Sequence, residues 1–148
     1  MPSHLVYLVR HARAAPHAAD DARRRLTPDG RAGFLRLVGA LRDRLKVARV
    51  VTSPFLRARE TAELLCRITG APLEEDARLA SGASEGDELL ALVRAAAPGT
   101  ALVGHNPEIA EAVARAAGED VEVKPGTVAA LAVDGRAVRL AWIEAPAP

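Results

Sequence analysis

Four side chains in this sequence, Arg10, His11, Arg57 and His105, have the chemistry of an anion site with a nucleophile. Arginine is a permanent, forked cation that matches the oxygens of a phosphate or a carboxylate. Histidine can be neutral near pH 7, so one of its ring nitrogens can act as a nucleophile. We find no carboxylate beside these residues. Such a set suits a phosphoryl group, which carries about −1.5 to −2 charges at neutral pH.

These four residues follow three short apolar segments, which we interpret as buried parallel strands: Leu5–Val9, Val47–Val51 and Thr100–Val103. Each segment leads into a stretch with the apolar spacing of a helix. Right-handed crossovers bring the carboxyl ends of such strands to one edge of a sheet. We therefore expect the four groups to converge at that edge.

A capping residue followed by proline marks the start of three helices, at Thr27-Pro28, Ser53-Pro54 and Asn106-Pro107. Arg57 then falls in the first turn of the second helix. The unpaired backbone N–H groups of a helix N-terminus also favour an anion. The capping pattern and the arginine therefore point to the same chemistry.

The end of the chain predicts a hairpin, because Asp134-Gly135 separates two apolar runs, Thr127–Val133 and Ala137–Ile143. Pro72–Glu75 is typical of a short edge strand. Together these elements predict an α/β fold of three layers, in which helices cover a mostly parallel central sheet that ends in a C-terminal hairpin. At 148 residues, we expect residues 1–148 to form one domain, and we expect a monomer.

Composition argues against several classes of partner. The formal net charge of +1 gives no reason to expect a nucleic acid. No apolar run approaches the roughly 20 residues of a membrane span, and no signal sequence opens the chain. Cys66 is the only cysteine, so no intrachain disulfide forms. We expect a cytoplasmic protein that binds neither nucleic acid nor a membrane.

Other chemistries of phosphate transfer fit the sequence less well. Two histidines would need further donors to hold a metal ion, and adjacent arginines would repel one, so we expect no metal and no other cofactor. No G-x-x-x-x-G-K-[ST] loop is present. Cys66 is followed six positions later by Pro72, so it lacks the arginine of a cysteine phosphatase. Asp20-Asp21 does not follow an apolar strand, which argues against an aspartyl phosphate.

Three segments, Leu8–Ala12, Ser53–Ala62 and Val103–Pro107, resemble the signature segments of the histidine phosphatase (phosphoglycerate mutase-like) superfamily. The short chain and the sequence Arg-His-Ala make it most similar to the small SixA-type phosphohistidine phosphatases. The resemblance implies a phosphoglycerate mutase-like fold. It also implies that His11 is transiently phosphorylated, while Arg10, Arg57 and a cationic His105 hold the phosphoryl oxygens. Arg13, two residues beyond His11, is a further candidate to contact the phosphate or to select an acidic substrate.

The general acid is the part of the family pattern that this sequence lacks. Larger members carry a glutamate in the middle of the chain, and Glu85 in the turn Ser81–Gly86 is our only weak candidate for it. An imidazole leaving group needs less help than an alkoxide, because its nitrogen is protonated near neutral pH. The preferred substrate is therefore phosphohistidine in a protein, such as a histidine-containing phosphotransfer domain, reached through an open pocket.

The sequence leaves two alternative functions open. One is a phosphatase of small phosphomonoesters, which uses the same residues on a different leaving group. The other is a regulatory module that binds phosphate without turnover. A covalent phosphate on the protein distinguishes an enzyme from such a module.

Overall fold

A six-stranded sheet forms the centre of the structure, a computed structural model that describes residues 3–148. Its strands are β1 (His4–Arg10), β2 (Arg49–Thr52), β3 (Leu73–Glu75), β4 (Thr100–Gly104), β5 (Val128–Asp134) and β6 (Ala137–Glu144). Their order across the sheet is β3-β2-β4-β1-β5-β6. The strand β4 thus fills the gap between β1 and β2, which places the carboxyl ends of all three side by side.

The sheet is mostly parallel, as the sequence predicts. Strand β4 pairs in parallel with both β1 and β2, and β3 pairs in parallel with β2. In this register Arg10 lies opposite Gly104, and Thr52 lies opposite Val103. Strand β5 is antiparallel to β1 and forms the predicted hairpin with β6. The three strand ends therefore stop at nearly the same level.

Four helices cover the two faces of the sheet: α1 (Pro28–Ala40), α2 (Leu56–Thr69), α3 (Gly86–Ala95) and α4 (Glu108–Ala117). Helices α1 and α2 pack on one face, where Phe34 and Val38 are completely buried. Helices α3 and α4 pack on the other face, around Val93 and Val113. Burying side chains of this size stabilises the fold by about 1.5–3 kcal/mol each. The predicted three-layer α/β architecture is confirmed.

One of the three predicted helix starts is confirmed. Thr27 caps α1, and its hydroxyl accepts a hydrogen bond from the Gly30 N–H at 2.9 Å. Helix α2 begins at Leu56 rather than at Pro54, and α4 begins at Glu108 rather than at Pro107. These two helices therefore start one or two residues later than predicted, although the Asn106 side chain does accept a hydrogen bond from the Ala110 N–H in the first turn of α4, at 3.1 Å.

Three short 3₁₀ turns complete the structure: Asp21–Arg23, Arg42–Arg44 and Ala77–Leu79. The first lies in the polar segment between β1 and α1, and Arg57 contacts it. Within the described residues, no helix combines the length and the apolar character needed to cross a membrane.

Candidate active site

The ends of β1, β2 and β4 bring the sequence-predicted side chains together. The ring centroids of His11 and His105 are 5.3 Å apart, with their planes at 56°. The Arg57 Nε–H donates to His11 Nε2 at 3.3 Å. Backbone hydrogen bonds extend the sheet pairing beyond β1, because the His11 N–H donates to the Gly104 carbonyl at 3.0 Å. Residues from three parts of the sequence thus share one site.

His11 is held in a single tautomer. Its Nδ1–H donates to the backbone carbonyl of Ala12 at 2.8 Å, so the lone pair of the neutral ring is on Nε2. The hydrogen bond from Arg57 reaches that same nitrogen. Burial, with the nearby charges of Arg57 and Arg10, lowers the pKa of His11 from 6.5 to about 4. The ring is therefore neutral at physiological pH, with Nε2 free of a proton.

Helix α2 positions the backbone next to His11 through Thr61. The Ala12 N–H donates to Thr61 Oγ1 at 2.9 Å, and the Thr61 hydroxyl donates to the Arg57 carbonyl at 2.8 Å. Thr61 is one turn after Arg57 and is fully buried. One hydroxyl therefore links the segment that carries the nucleophile to the helix that carries the arginine.

The guanidinium of Arg57 also contacts the 3₁₀ turn that follows β1. One of its terminal N–H groups donates to the Asp21 carbonyl at 2.8 Å, and the other terminal nitrogen donates to Asp21 Oδ2 at 3.3 Å. Together with the bond to His11, these contacts use three of its five N–H groups. Two N–H groups remain to bind an anion.

Asp21 is the exposed member of this arrangement. Its side chain is 59% exposed and also pairs with Arg24 at 3.1 Å. Desolvation acts to raise its pKa, but the charges of Arg57 and Arg24 outweigh it and hold the pKa of Asp21 below its ordinary value. The carboxylate is therefore ionised at neutral pH.

A terminal nitrogen of Arg10 is hydrogen-bonded, whereas its Nε has no partner among the residues that the structure describes. One terminal N–H of Arg10 donates to the Val123 carbonyl at 2.9 Å, and the side-chain amide of Asn106 donates to the same carbonyl at 3.0 Å. Arg10 Nε is buried and has no hydrogen-bond partner in the described part of the chain. Burial lowers the pKa of Arg10 and, despite Asp21, that of Arg57. Both remain cations, and Arg10 offers a buried donor to an anion.

His105 differs from its expected charge state. Ser53 Oγ, which also accepts a hydrogen bond from the Phe55 N–H, lies 2.8 Å from His105 Nε2. His105 Nδ1 is buried without a partner among residues 3–148. Burial, followed by the charges of His11 and Arg57, lowers the pKa of His105 to about 3. The predicted cationic His105 is therefore wrong for the free site, since a second buried charge beside two arginines is strongly disfavoured.

The remaining sequence candidates are exposed and make no hydrogen bond to this cluster in the described part of the chain. Arg13 is exposed and lines a surface groove with Lys124 and the start of α1. Glu85 is exposed at the N-terminus of α3, where its N–H donates to Glu88 Oε1 at 2.9 Å. In residues 3–148, no hydrogen bond joins Glu85 to His11, His105 or either arginine. The structure therefore does not bring the weak candidate acid into contact with the nucleophile.

Sequence reasoning missed two carboxylates. Asp21 lies in a polar loop without periodic spacing, so no signal could have placed it on Arg57. Glu108 is only 7% exposed, lines a small cavity with His105 and accepts a hydrogen bond from the Gly82 N–H at 3.1 Å. Glu108 lies in the first turn of α4, four residues before the buried Ala112, and this helical spacing could have predicted that Glu108 is buried. The absence of a carboxylate at the three junctions was therefore a wrong prediction.

Access to the reactive groups is narrow. His11 is 7% exposed, Arg57 5% and His105 3%. The ring of Phe55 packs edge-on against His105 at 5.1 Å and lies under the Arg57 guanidinium at the same distance. The side chains that would meet a phosphoryl group therefore expose only a small fraction of their surface to solvent.

The donor set does not fit a metal ion. Within residues 3–148, no three His, Cys, Asp or Glu side chains are grouped to hold one. Two imidazoles beside two guanidinium groups favour an anion instead. In the free site, burial lowers the pKa of both histidines, so the site provides two fixed cations and two neutral imidazole rings, one of which is the candidate nucleophile.

Comparisons with known proteins agree with this geometry. The model of the histidine phosphatase superfamily (branch 1) matches residues 6–122. The chain is similar to a protein from Agrobacterium tumefaciens provisionally assigned as the phosphohistidine phosphatase SixA, with 26% identity, a TM-score of 0.85 and coverage of 99% of this chain and 100% of the other.

Two further solved structures are similar over nearly their whole length. One is the protein histidine phosphatase SixA complexed with tungstate, with 25% identity, a TM-score of 0.84 and coverage of 96% of this chain and 97% of the other. The other is a provisionally assigned SixA from Nakamurella multipartitia, with 28% identity, a TM-score of 0.75 and full coverage of both chains. A comparison with curated proteins finds no match.

Proposed function

The chain belongs to the histidine phosphatase superfamily, and we propose that it is a metal-independent phosphatase that forms a covalent phosphohistidine on His11. The observation that carries the proposal is the state of that ring. Nδ1–H is bonded to the Ala12 carbonyl, and the unprotonated Nε2 faces Arg57 at 3.3 Å. A neutral, oriented imidazole next to fixed cations is prepared to attack phosphorus.

The reaction proceeds in two displacements. In the first, the lone pair of His11 Nε2 forms a bond to phosphorus while the bond to the leaving atom breaks and its electron pair goes to that atom. In the second, a water oxygen attacks the phosphohistidine and forms a bond to phosphorus, while one of the water's protons passes to solvent. The P–N bond breaks, its electron pair returns to Nε2, and inorganic phosphate is released. His11 ends neutral, as it began.

The other residues stabilise the charge on the phosphoryl group. Arg57 has two free N–H groups and Arg10 has an unpartnered Nε–H, and these donors suit the phosphoryl oxygens. His105 contributes a neutral ring held by Ser53. Bringing a dianion into the site raises the pKa of both histidines, so His105 gains positive charge only when the anion binds. In this proposal Arg10, Arg57 and His105 are catalytic residues.

Phosphohistidine in a protein, such as a histidine-containing phosphotransfer domain, is the preferred substrate. The similar structures named as SixA phosphohistidine phosphatases support this choice. The exposed position of Glu85 supports it as well, because an alkoxide leaving group needs a positioned acid and an imidazole does not. A small phosphomonoester is the second candidate. We further propose that residues 1–148 act as a single domain and a monomer.

A substrate comparison with matched variants tests the proposal. Wild type, His11→Gln and His17→Gln are assayed on a histidine-phosphorylated phosphotransfer protein and on a panel of sugar and nucleotide phosphates, with and without EDTA. His17 is an exposed histidine in the segment after β1 and is the control. We expect EDTA-resistant hydrolysis of the phosphoprotein by wild type and His17→Gln, and none by His11→Gln.

Other outcomes overturn separate parts of the proposal. Faster hydrolysis of an ester than of phosphohistidine favours the phosphomonoesterase. Loss of activity with EDTA that metal restores contradicts metal independence. Phosphate binding by wild type with no hydrolysis of any substrate favours the regulatory module.

A further inference from the structure

We propose that the Asp21 carboxylate makes the site selective for an N-phosphorylated imidazole over a phosphate ester, by accepting a hydrogen bond from the ring N–H of the leaving group. This inference rests on the proposed function and assigns a specificity-determining residue to the same site. Asp21 is the one carboxylate that bonds Arg57 in the described residues.

The position of Asp21 relative to His11 supports this assignment. The guanidinium of Arg57 bonds His11 Nε2 through Nε and Asp21 Oδ2 through a terminal nitrogen, so it spans from the nucleophile to the carboxylate. In an in-line displacement, the leaving atom lies on the opposite side of phosphorus from the attacking nitrogen. His11 is buried, whereas the Asp21 side chain is 59% exposed. We therefore place the leaving atom on the solvent side of phosphorus, where Asp21 lies.

The negative charge of Asp21 in an anion site is a second reason. A carboxylate repels a dianion that is bound next to it, so a carboxylate in an anion site needs a compensating contact. Arg57 and Arg24, at 3.3 and 3.1 Å, offset part of this repulsion. The remaining repulsion is offset when the ligand itself presents a cation or a hydrogen-bond donor to the carboxylate. A protonated phosphoimidazole carries both, a delocalised positive charge and one ring N–H.

The chemistry of the leaving group is a third reason. An ionised carboxylate only accepts hydrogen bonds. It therefore pairs with the N–H of a protonated phosphoimidazole and favours that form. When the P–N bond breaks, its electron pair neutralises the ring, which leaves as imidazole with its N–H intact. No proton from the protein is needed. An ester oxygen offers only lone pairs, so the same carboxylate repels it.

A purely structural role for Asp21 makes a different prediction. Its backbone carbonyl binds Arg57 at 2.8 Å whatever the side chain is, and asparagine keeps the size and one acceptor oxygen of aspartate. If the side chain only positions Arg57, its replacement affects every substrate alike. If it pairs with the leaving group, the replacement changes the ratio between substrates.

The test compares Asp21→Asn with wild type, Asp21→Glu and the neighbouring control Asp20→Asn. Asp20 is exposed, and its side chain caps the same 3₁₀ turn by accepting from the Ala22 N–H at 3.1 Å, a role that asparagine also fills. The kcat/KM is measured for a histidine-phosphorylated phosphotransfer protein, for free phosphohistidine and for p-nitrophenyl phosphate.

We expect Asp21→Asn to lower kcat/KM for both phosphohistidine substrates about tenfold, the size expected when a hydrogen bond to a charged group becomes one to a neutral group, while the ester is hydrolysed as fast or faster. Asp21→Glu, which keeps the carboxylate, should stay closer to the wild-type ratio, and Asp20→Asn should match wild type. An equal fall for all substrates, or no change for any, overturns the inference. If wild type itself fails to hydrolyse phosphohistidine, the proposed function fails instead.

Discussion

At the scale of single residues, the site combines a neutral nucleophile with permanent cations, and burial produces both properties. Desolvation keeps His11 and His105 unprotonated, with pKa values of about 4 and about 3. The same burial strengthens the field of the arginines, because there is little water to screen it. Arg57 contacts the nucleophile directly, so its replacement tests this arrangement best.

Arg57→Lys should lower kcat/KM on phosphohistidine by about a hundredfold or more, since an ammonium group cannot reproduce the forked contacts of a guanidinium. Arg59→Lys is the matched control. Arg59 is two residues along α2, is half-exposed and pairs with Glu75 at 2.9 Å. Steady-state kinetics on both variants check the prediction, and equal effects of the two substitutions would contradict the role of Arg57.

The lowered pKa values also predict how stability depends on pH. An unfolded histidine titrates near pH 6.5, whereas His11 in the folded protein titrates near 4, so the unfolded chain binds more protons between these values. The free energy of unfolding should be highest above about pH 6.5 and should fall as the pH drops towards 4. Urea unfolding from pH 4 to 8 measures this slope.

His11→Gln removes one of the two buried rings and should flatten that slope. Its stability relative to wild type should then be constant above pH 7 and improve progressively below pH 6.5. A ring signal of His11 that titrates near 6.5 in the folded protein, followed by NMR, would contradict the account.

At the scale of elements, the turns that follow β1, β2 and β4 fix the site, and the start of α1 packs closely against the first of them. A Cβ placed on Gly30 would lie 2.4 Å from the Arg13 carbonyl oxygen and 3.0 Å from Thr27 Oγ1. The Arg13 carbonyl also accepts from the Thr27 N–H at 2.9 Å. The glycine therefore allows α1 to approach the segment just after His11.

Gly30→Ala should destabilise the protein by about 1–3 kcal/mol, because backbone atoms must move to admit the methyl group. It should lower activity as well, since the displaced segment adjoins His11. Gly39→Ala is the control in the same helix, where the new Cβ meets no atom of the described chain within 4 Å.

Gly39→Ala should stabilise the protein by about 0.5–1 kcal/mol, because alanine loses less backbone entropy in a helix. Urea unfolding of the two variants gives both changes in the free energy of unfolding. A stabilising Gly30→Ala would show that α1 does not press on the segment after His11.

At the scale of the whole molecule, the site joins segments from both halves of the chain. The Val123 carbonyl, between α4 and β5, accepts from Arg10 and from Asn106, and the Gly126 N–H donates to the His11 carbonyl at 2.9 Å. An anion held by Arg10, Arg57 and His105 therefore connects elements that separate on unfolding. Its binding should stabilise the entire fold.

Tungstate or vanadate at one hundred times its Kd should add about 2.7 kcal/mol to the free energy of unfolding, which corresponds to a rise in Tm of about 5–11 °C for a domain of this size. Differential scanning calorimetry measures the shift. Arg57→Lys should reduce the shift and Arg59→Lys should not. The absence of any shift in wild type would contradict an anion site at the sheet edge.

The sequence predicts the fold well because short stretches of it are enough to determine each strand, helix start and turn. Five apolar residues before Arg10, a capping threonine at Thr27 and the Asp134-Gly135 turn are each sufficient to place an element. Convergence of the arginines and histidines then follows from parallel topology. The signature segments carry this part of the site.

The rest of the site depends on contacts that have no periodic signal. The bond from Arg57 to Asp21 spans 36 positions, and that from Arg10 to Val123 spans 113. The neutral state of His105 depends on how many groups bury it, which no spacing reveals. Loops that close over a site are therefore the part of it that sequence reasoning places least well.

Trapping the phosphorylated enzyme tests the central claim most directly. Wild type is mixed with a phosphohistidine substrate, quenched in alkali within a turnover and analysed by mass spectrometry of its peptides and by ³¹P NMR. We expect one phosphoryl group per chain on Nε2 of His11 and none in His11→Gln. Phosphate release without any phosphorylated His11, or a phosphoryl group carried by His105 instead, would contradict the central claim.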